Sequence, residues 1–546
     1  CVLPTDAPGT KYYLVLGCLG RGPGPFRVRV RARPAAGPAS LPVDESVPDT
    51  AWAERVAALR ARLHQARRDE PPPPLYPPAA APSPHRVFYL FTGDGDFQDA
   101  AGYAAVDADL CAVGRHCLVY LDRQEPDPAR VQPTAADIVR TFDEEVYPRA
   151  EAELGHALDV DRDGRFAVLL SGRLGHLQNG RVSVGGFVRG TDFYADLPAP
   201  YGNRCDLMYL NTSLRPGPRL RTILAHEYTH AIVFSERLFG SYLADAPRQD
   251  EEAWLNEGLA HLVEERRGHG WSNLDYRIDA FLNTPERYQL VVPDYYRAGL
   301  WRTPGNRGAV FLFLRWCARG CGPDLVQRLV RTNLTGVTNL EVETGRRFAD
   351  LFRAWSAALV LPGADAVPAV PGRVLCGPRF TEMILAGDER DVEMVGTSAA
   401  YLLLHSPAAA CSRLTVEAEP GALVQATLIR LPEGSARLSL RQETGSTPGT
   451  VRLVVSAHDA PVVLHEAAVE PFVPPAGPDD GTAEGGTTAA DPRALARAWF
   501  GGAPLQPGET RKSPDLPSLQ CNGPSVVKVT GTDGAGRPVA AWLLGP

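Results

Sequence analysis

The stretch 226–230 reads His-Glu-Tyr-Thr-His and lies in a segment whose apolar residues have the spacing of a buried helix. His226 and His230 stand on one face of such a helix, about one turn apart, so that both imidazoles can reach a single metal ion. Glu227 stands beside the first histidine, from where its carboxylate can reach a water molecule rather than the metal. The stretch therefore predicts a helix that carries a catalytic metal site.

A second helical segment, 254–261, reads Trp-Leu-Asn-Glu-Gly-Leu-Ala-His. Glu257 can complete a three-ligand site with His226 and His230 and leave the fourth tetrahedral position to water, the open arrangement of catalytic zinc. Two imidazoles and one carboxylate suit zinc better than calcium or magnesium. Non-heme iron(II) uses the same ligands, so the ligand set alone leaves iron open, whereas the HExxH helix favours zinc.

The combination of HExxH at 226–230 with Asn-Glu-Gly-Leu-Ala at 256–260 resembles the gluzincin metallopeptidases. Further details resemble the hyicolysin family of secreted bacterial proteases, namely the strand motifs at 161–170 and 206–210 and the segment 222–225. The resemblance covers about residues 86–360, half of the chain. It implies a gluzincin-like fold, zinc bound by His226, His230 and Glu257, Glu227 as general base, and endopeptidase activity.

The chain departs from this family at one point. Members often carry Tyr-Gly-Ala ahead of a later helix, where this chain has Arg307-Gly308-Ala309, so a tyrosine that could bind the oxyanion is missing there. The developing oxyanion needs a second electrophile beside the metal. The candidates are Tyr288, Tyr295, Tyr296, His269 and Arg307.

His261 stands four residues after Glu257, on the same helix face. Relatives often have an acidic residue there that orients a ligand histidine. We therefore predict that His261 supports the ligands without binding the metal, because a fourth protein ligand would close the open position. We also expect the substrate to lie extended along an edge strand near 182–188, and the polar residues 235–252 to form a loop beside the cleft.

Asp159, Asp161 and Asp163, followed by Gly164, match the first half of a calcium-binding loop. The twelfth loop position is Leu170 instead of glutamate, so a bound calcium ion would need ligands from elsewhere in the chain. A plain acidic turn is the alternative interpretation.

The order of patterns predicts an α+β protein with a gluzincin-like metallopeptidase domain, a mixed sheet plus a helical half, followed by a β-sandwich. Residues 1–85 form an N-terminal β and helical region that ends in a proline-rich linker, and its role as a propeptide is open. The predicted regions that follow are the peptidase domain at 86–362, the β-sandwich at 363–472, a flexible linker at 473–491 and a small β appendage at 492–546.

The composition restricts partners and compartment. A formal charge of -8 argues against nucleic acid as a partner, and no apolar run is long enough for a transmembrane helix. The first residue is Cys1, which is typical of a processed bacterial lipoprotein and suggests a lipid anchor on an extracellular, cell-surface or periplasmic protein. The close pairs Cys111/Cys117 and Cys317/Cys321 are either disulfides or buried thiols.

The favoured function is a secreted or surface-tethered zinc endopeptidase that acts on protein or peptide substrates. One alternative is a non-catalytic, zinc-stabilised adhesion or carbohydrate-binding protein, but Glu227 argues against it, because structural zinc does not need that carboxylate. Another alternative is a small-molecule metallohydrolase, which would have a closed pocket instead of an open cleft.

Overall fold

The computed structural model describes most of the chain, and the predicted linker 473–491 and His269 lie outside its described residues. Those residues are 1–4, 10–22, 24–36, 49–69, 74, 76–78, 81–94, 97–243, 249–267, 271–361, 366–368, 377–406, 411–431, 437–444, 450–458, 462–471, 492–507, 509–514, 516–517, 525–533 and 538–544. None of the described helices combines the length and apolar composition that a bilayer crossing requires.

Helices and strands alternate in the first half of the chain, and strands predominate after residue 380. The helices are α1 (Thr50–Asp69), α2 (Pro128–Thr141), α3 (Tyr147–Glu153), α4 (Leu177–Gly180), α5 (Pro218–Leu243), α6 (Ala253–Arg267), α7 (Trp271–Asn283), α8 (Pro304–Cys321), α9 (Leu325–Val330), α10 (Gly336–Thr344), α11 (Phe348–Ala358) and α12 (Pro492–Phe500). The strands are β1 (Val2–Leu3), β2 (Lys11–Cys18), β3 (Phe26–Pro34), β4 (His85–Phe91), β5 (Tyr103–Val113), β6 (Cys117–Asp122), β7 (Phe166–Leu170), β8 (Gly186–Val188), β9 (Leu207–Leu210), β10 (Thr381–Ile384), β11 (Glu389–Met394), β12 (Ala399–His405), β13 (Ser412–Ala418), β14 (Val424–Arg430), β15 (Arg437–Thr444), β16 (Thr450–His458), β17 (Val462–Pro471), β18 (Thr510–Lys512), β19 (Leu516–Pro517), β20 (Ser525–Asp533) and β21 (Pro538–Leu544).

A six-stranded mixed sheet lies in the region predicted to be the peptidase domain, with the strand order β4-β5-β6-β7-β9-β8. The central pairs β6/β7 and β7/β9 are parallel, and β8 runs antiparallel to β9 at one edge. Strands β7 and β9 are buried along their whole length, which explains their continuous apolar sequence. One face of this sheet shares a core with helices α5 to α11. The observed mixture of sheet and helices confirms the predicted α+β class.

Helix α5 is longer than the sequence suggested. The prediction of a loop from residue 235 is wrong for its first part, because the helix continues to Leu243. Leu238 is buried, and the hydroxyl of Ser235 donates a hydrogen bond to the carbonyl of Ala231 one turn earlier. These contacts extend the buried face of the helix for two turns past His230.

Two four-stranded sheets enclose a second core and combine strands from distant parts of the chain. Their orders are β1-β13-β3-β11 and β10-β12-β2-β14. Residues 1–85 and 363–472 were predicted to form separate regions. Strand pairing instead places β2, from the first region, between β12 and β14, from the second. Leu14 and Leu16 of β2 point into this second core, and Val15 packs in the core of the six-stranded sheet. Strand β2 is therefore buried on both faces.

The remaining strands form two smaller sheets near the C-terminus. Their orders are β15-β16-β18, with β19 also beside β16, and β17-β20-β21. Strands between 437 and 471, which the sequence analysis grouped with the β-sandwich, therefore pair with strands beyond residue 492.

The cysteine pairs considered for disulfides are free thiols. The Cys111 thiol donates a hydrogen bond to the carbonyl of Val119, while Cys117 is buried on β6. Cys317 and Cys321 stand on successive turns of α8. Of the two alternatives, free thiols are observed at these four positions; Cys117 and Cys317 are buried, whereas Cys111 and Cys321 are partly exposed.

Candidate metal centre

Helices α5 and α6 carry the residues that the sequence singled out, and they pack against each other in the core. Leu220, Leu224 and Ile232 are fully buried on α5, so the helix that carries 226–230 is held rigidly. The Arg237 guanidinium of α5 makes an ion pair with Glu251, two residues before α6, and both side chains are buried. A buried, hydrogen-bonded pair of this kind specifies how the two elements meet.

The two helices bring His226, His230 and Glu257 together. The Nε2 atoms of the two histidines lie 3.0 Å apart. Oε2 of Glu257 lies 3.4 Å from Nε2 of His226 and 3.9 Å from Nε2 of His230. These three atoms belong to a group whose members all lie within 4.8 Å of one another. The two histidine nitrogens and the carboxylate oxygen therefore face a common point.

A buried carboxylate, Glu264, sets the orientation of His226. Its Oε1 lies 2.5 Å from Nδ1 of His226 and 3.0 Å from Nδ1 of His261, and Asn273 donates to both carboxylate oxygens at 3.0 and 3.1 Å. Because the carboxylate facing Nδ1 of His226 can only accept, a proton is favoured on Nδ1, and Nε2 is the nitrogen that faces Glu257 and His230. This is the tautomer that a metal ligand needs.

Asn256 orients the imidazole of His230 in the same way. Its Oδ1 lies 2.8 Å from Nδ1 of His230, so this imidazole also presents the lone pair of Nε2. Two lone pairs at 3.0 Å repel each other unless a proton or a cation lies between them. The pKa values show this conflict: burial lowers the pKa of His226, but Glu264 and Glu257 raise it to about 10, while burial and the His226 charge lower the pKa of His230 to about 4.

Glu257 is held by Arg307, on the first turn of α8. The guanidinium Nη2 lies 2.7 Å from Oε1 of Glu257 and donates a hydrogen bond to the carbonyl of Trp301. Oε2 of Glu257 is buried and has no hydrogen-bond partner among the described residues. Burial raises the pKa of Glu257, but Arg307 and the histidines lower it well below its usual range. The carboxylate therefore presents one charged oxygen to the imidazoles.

Glu227 lies in the same buried region, with 7% of its surface exposed. Burial raises its pKa to about 7, although the His226 charge acts in the opposite direction. A carboxylate with a pKa near neutrality can both take up and release a proton under ordinary conditions.

The tyrosines considered as the second electrophile differ in the surroundings of their side chains. Tyr288 packs its ring against Gly305, where an added Cβ would be 2.4 Å away, so Tyr288 is a packing residue. Tyr296 contacts the rings of Phe97 and Trp301. The hydroxyl of Tyr295 is buried without a hydrogen-bond partner among the described residues, and burial followed by the Glu257 charge raises its pKa. Among these tyrosines, Tyr295 therefore combines a buried, unpartnered hydroxyl with an electrostatic effect of Glu257 on its pKa.

His261 is fully buried and belongs to the network of Glu264. Its Nε2 lies 4.0 Å from Oε2 of Glu257, and its ring centroid lies 4.9 Å from that of His226. The group of mutually close ligand atoms that contains Glu257 and His230 does not include His261. This position agrees with a supporting role for His261. The residue that faces the ligand His226, however, is Glu264, seven residues after Glu257, and not His261 as predicted.

The acidic turn at 159–164 is built as a hydrogen-bonded loop. Oxygens of Asp159, Asp161 and Asp163 lie within 4.8 Å of one another. Asp161 is paired with Arg86 at 2.6 Å, and Asp159 accepts the backbone N–H of Gly164 at 2.9 Å. These contacts are those of an acidic turn, and calcium binding there stays a prediction.

Glu264, Asn256 and Asn273 were not predicted from the sequence, although Glu264 and Asn256 face the two histidines and Asn273 binds Glu264. Asn256 directly precedes Glu257, and Glu264 lies two helical turns after Glu257, on the same face as His261. That spacing was the available signal. Asn273 lies on α7, and sequence spacing within α6 could not connect it to the site.

No protein-family model matches the chain. A curated relative, the neutral metalloprotease ShpI of Staphylococcus hyicus, is 25% identical over 158 residues, which cover 28% of this chain and 34% of the relative. The match thus spans about a third of the relative's length. A solved structure, the aminopeptidase A of Legionella pneumophila in complex with aspartic acid, shows 10% identity and a TM-score of 0.28 over 84% of this chain and 37% of that chain.

Proposed function

We propose that the chain is a zinc-dependent endopeptidase of the hyicolysin type. The observation that carries this proposal is the convergence of Nε2 of His226, Nε2 of His230 and Oε2 of Glu257 around one point beside Glu227. Two lone pairs and one charged oxygen, buried together, favour a positive charge between them, and this ligand set suits zinc.

His226, His230 and Glu257 would hold the metal, and three protein ligands leave a tetrahedral position open. When bound, zinc would supply a Lewis acid that polarises the peptide carbonyl and lowers the pKa of water. Glu264 and Asn256 keep the two imidazoles in the metal-binding tautomer.

Glu227 is the proposed general base. Its carboxylate accepts a proton from the attacking water and returns the proton to the amine of the departing product. The hydroxyl of Tyr295 is the proposed donor to the oxyanion, since it is buried near Glu257 and has an unused hydrogen. Arg307 keeps Glu257 in place by binding its other oxygen.

The edge strand β8 is the proposed partner for the substrate backbone. It lies at the free edge of the six-stranded sheet and packs beside α5. An extended peptide can add to such an edge by main-chain hydrogen bonds, which do not require a free terminus. This supports internal cleavage of a chain. Export from the cell stays a prediction from the resemblance to secreted proteases.

The test compares the parent with Glu227→Gln, and with Glu236→Gln on the same helix as a matched control. We expect Glu227→Gln to retain zinc by elemental analysis and to lose digestion of unfolded casein by at least about a hundredfold. Glu236→Gln should retain both. Peptides blocked at both ends distinguish internal cleavage from aminopeptidase action. Equal activity of Glu227→Gln and the parent contradicts the proposal.

A further inference from the structure

An aromatic pocket of about 640 Å³ opens next to the metal centre. Its walls include the rings of Phe97, Tyr103, Tyr201 and Phe234. A cavity of this size holds a large side chain together with part of its backbone. We call it the aromatic pocket.

The pocket lies where α5 meets the end of β8. Phe234 stands one turn after His230 on α5, and the two ring centroids lie 6.5 Å apart. Gly190, which lines the pocket, follows β8 by two residues, and a Cβ there would lie 3.3 Å from the Phe234 ring. A peptide that runs along β8 past the metal ligands therefore passes the mouth of the pocket.

The arginine of the pocket lining is paired with a buried carboxylate. Arg189 is paired at 2.5 Å with Asp192, which is fully buried. Asp192 also accepts hydrogen bonds from Tyr209 and Asn203. One carboxylate, Asp250, belongs to the lining, and it accepts a hydrogen bond from the Tyr194 hydroxyl at 3.3 Å. Four rings and a paired arginine favour an uncharged, flat side chain over a charged one.

We propose that the aromatic pocket determines substrate specificity by binding the aromatic side chain of a residue close to the cleaved bond. The proposal rests on the peptidase function proposed above and adds the class of residue selected. Burial of one such ring in place of a methyl group corresponds to about a 10- to 100-fold preference in kcat/KM.

The experiment uses the zinc-loaded full chain and maps its cleavage sites in unfolded casein by mass spectrometry. Blocked peptides that differ only in Phe, Ala or Arg at the selected position then give the ratios of kcat/KM. Tyr201→Ala enlarges the pocket and Leu197→Trp fills it, so both should lower the ratio of Phe to Ala by at least about tenfold. Val113→Ala, on the exposed end of β5, is the control and should keep the parent ratio.

Two kinds of failure are distinguishable. A parent that binds zinc and cleaves none of these substrates contradicts the proposed function. A parent that cleaves without an aromatic preference, or that prefers Arg, overturns the inference and leaves the peptidase function standing. The inference is also overturned when both pocket variants fold and keep the parent ratio. A single folded variant with a reduced ratio supports it, even if the other does not fold.

Discussion

At the scale of single residues, the centre consists of one carboxylate that serves two histidines. Glu264 is fully buried and faces Nδ1 of both His226 and His261. Burial raises its pKa, but the two imidazoles lower it below the usual range, so it stays charged. The imidazole of His226 thus owes its orientation and its basicity to a residue outside the proposed ligand set.

The first prediction follows from this arrangement. Glu264→Gln should weaken zinc binding by about 10- to 100-fold, because an amide holds the His226 tautomer less strongly than a carboxylate. Glu265→Gln is the matched control, since the Glu265 carboxylate binds Arg315 instead of an imidazole and its loss should leave zinc affinity unchanged. Titration of zinc against a competing chelator measures both. Equal zinc affinities for the two variants would show that Glu264 does not orient His226.

A second prediction concerns the unpartnered hydroxyl. Tyr295→Phe should lower kcat by about 10²- to 10³-fold, since one donor to the oxyanion is lost, and should leave zinc affinity unchanged. Tyr288→Phe removes an equally buried hydroxyl that lies away from the centre, and should retain the parent kcat. Steady-state kinetics on one blocked peptide give the comparison. A Tyr295→Phe enzyme with the parent kcat would remove this residue from the mechanism.

His226, Glu227, His230 and Glu257 could be predicted from the sequence as one site. Helical spacing is a local property of the chain, and Glu257 is the one carboxylate in the segment 254–261. Sequence reasoning could not assign the role of Arg307, which depends on where α8 begins relative to α6. It also placed the orienting role on His261 rather than on Glu264, since both share a face of α6 and only packing decides which side chain reaches His226.

At the scale of elements, close helix packing positions Glu257. A Cβ on Gly258 would lie 2.4 Å from side-chain atoms of both Val310 and Leu314, so α6 and α8 meet at this glycine. Arg307 stands one turn before Val310 on α8, and the same contact therefore also sets the distance between Arg307 and Glu257.

Gly258→Ala should therefore reduce both stability and zinc affinity. The added methyl group separates α6 from α8 and should cost about 1–3 kcal/mol of unfolding free energy. Gly320→Ala is the control on α8, because nothing lies within 4 Å of its added Cβ, and its effect should be neutral or stabilising by up to about 1 kcal/mol. Thermal unfolding and zinc titration provide the readouts. A Gly258→Ala protein as stable as the control would contradict close packing at this position.

The acidic turn at 159–164 predicts a pH dependence of stability. Burial and the neighbouring Asp161 raise the pKa of Asp163 to about 6. A carboxyl whose pKa is higher in the folded state stabilises the fold while protonated, and this contribution is lost as the pH rises from about 4 to about 6. The stability of Asp163→Asn relative to the parent should therefore increase across this window in calcium-free buffer. A constant difference in melting temperature would refute the prediction.

Calcium distinguishes the two interpretations of the same turn. A bound cation would relieve the repulsion among Asp159, Asp161 and Asp163, so added calcium at pH 7 should raise the melting temperature of the parent more than that of Asp163→Asn. An equal response of both proteins favours the plain acidic turn, in which Arg86 supplies the positive charge.

Strands and helices were predicted well where their pattern was continuous. The runs at β7, β9 and β12 were recognised from apolar sequence, because buried strands need it, and the partly buried β14 was recognised as well. The partners of these strands could not be predicted. Pairing between β2 and β12 joins residues separated by almost 400 positions, and no local pattern encodes such a contact.

At the scale of the whole molecule, the N-terminal strands are interior parts of two sheets. β2 pairs with β12 and β14, and β3 pairs with β11 and β13. Loss of residues 1–36 would leave both sheets without a central strand. This arrangement argues against residues 1–85 acting as a removable propeptide, a role that the sequence left open.

The last prediction tests this arrangement by cutting the chain without removing anything. A site for a specific protease inserted after residue 40, between β3 and α1, should give an N-terminal fragment that stays bound after cleavage. Tyr12, Leu14, Leu16, Val28 and Val30 are each at most 2% exposed, and each contributes about 1.5–3 kcal/mol when buried, in sum comparable to the entropy lost on association. The backbone hydrogen bonds of β2 and β3 to their neighbouring strands add to this stabilisation. The fragment should therefore co-elute with the rest of the chain in size-exclusion chromatography and separate only in denaturant. Uncut protein and the parent treated with the same protease are the controls. A fragment that dissociates in native buffer, with the remainder still folded and binding zinc, would show that the N-terminal strands are dispensable.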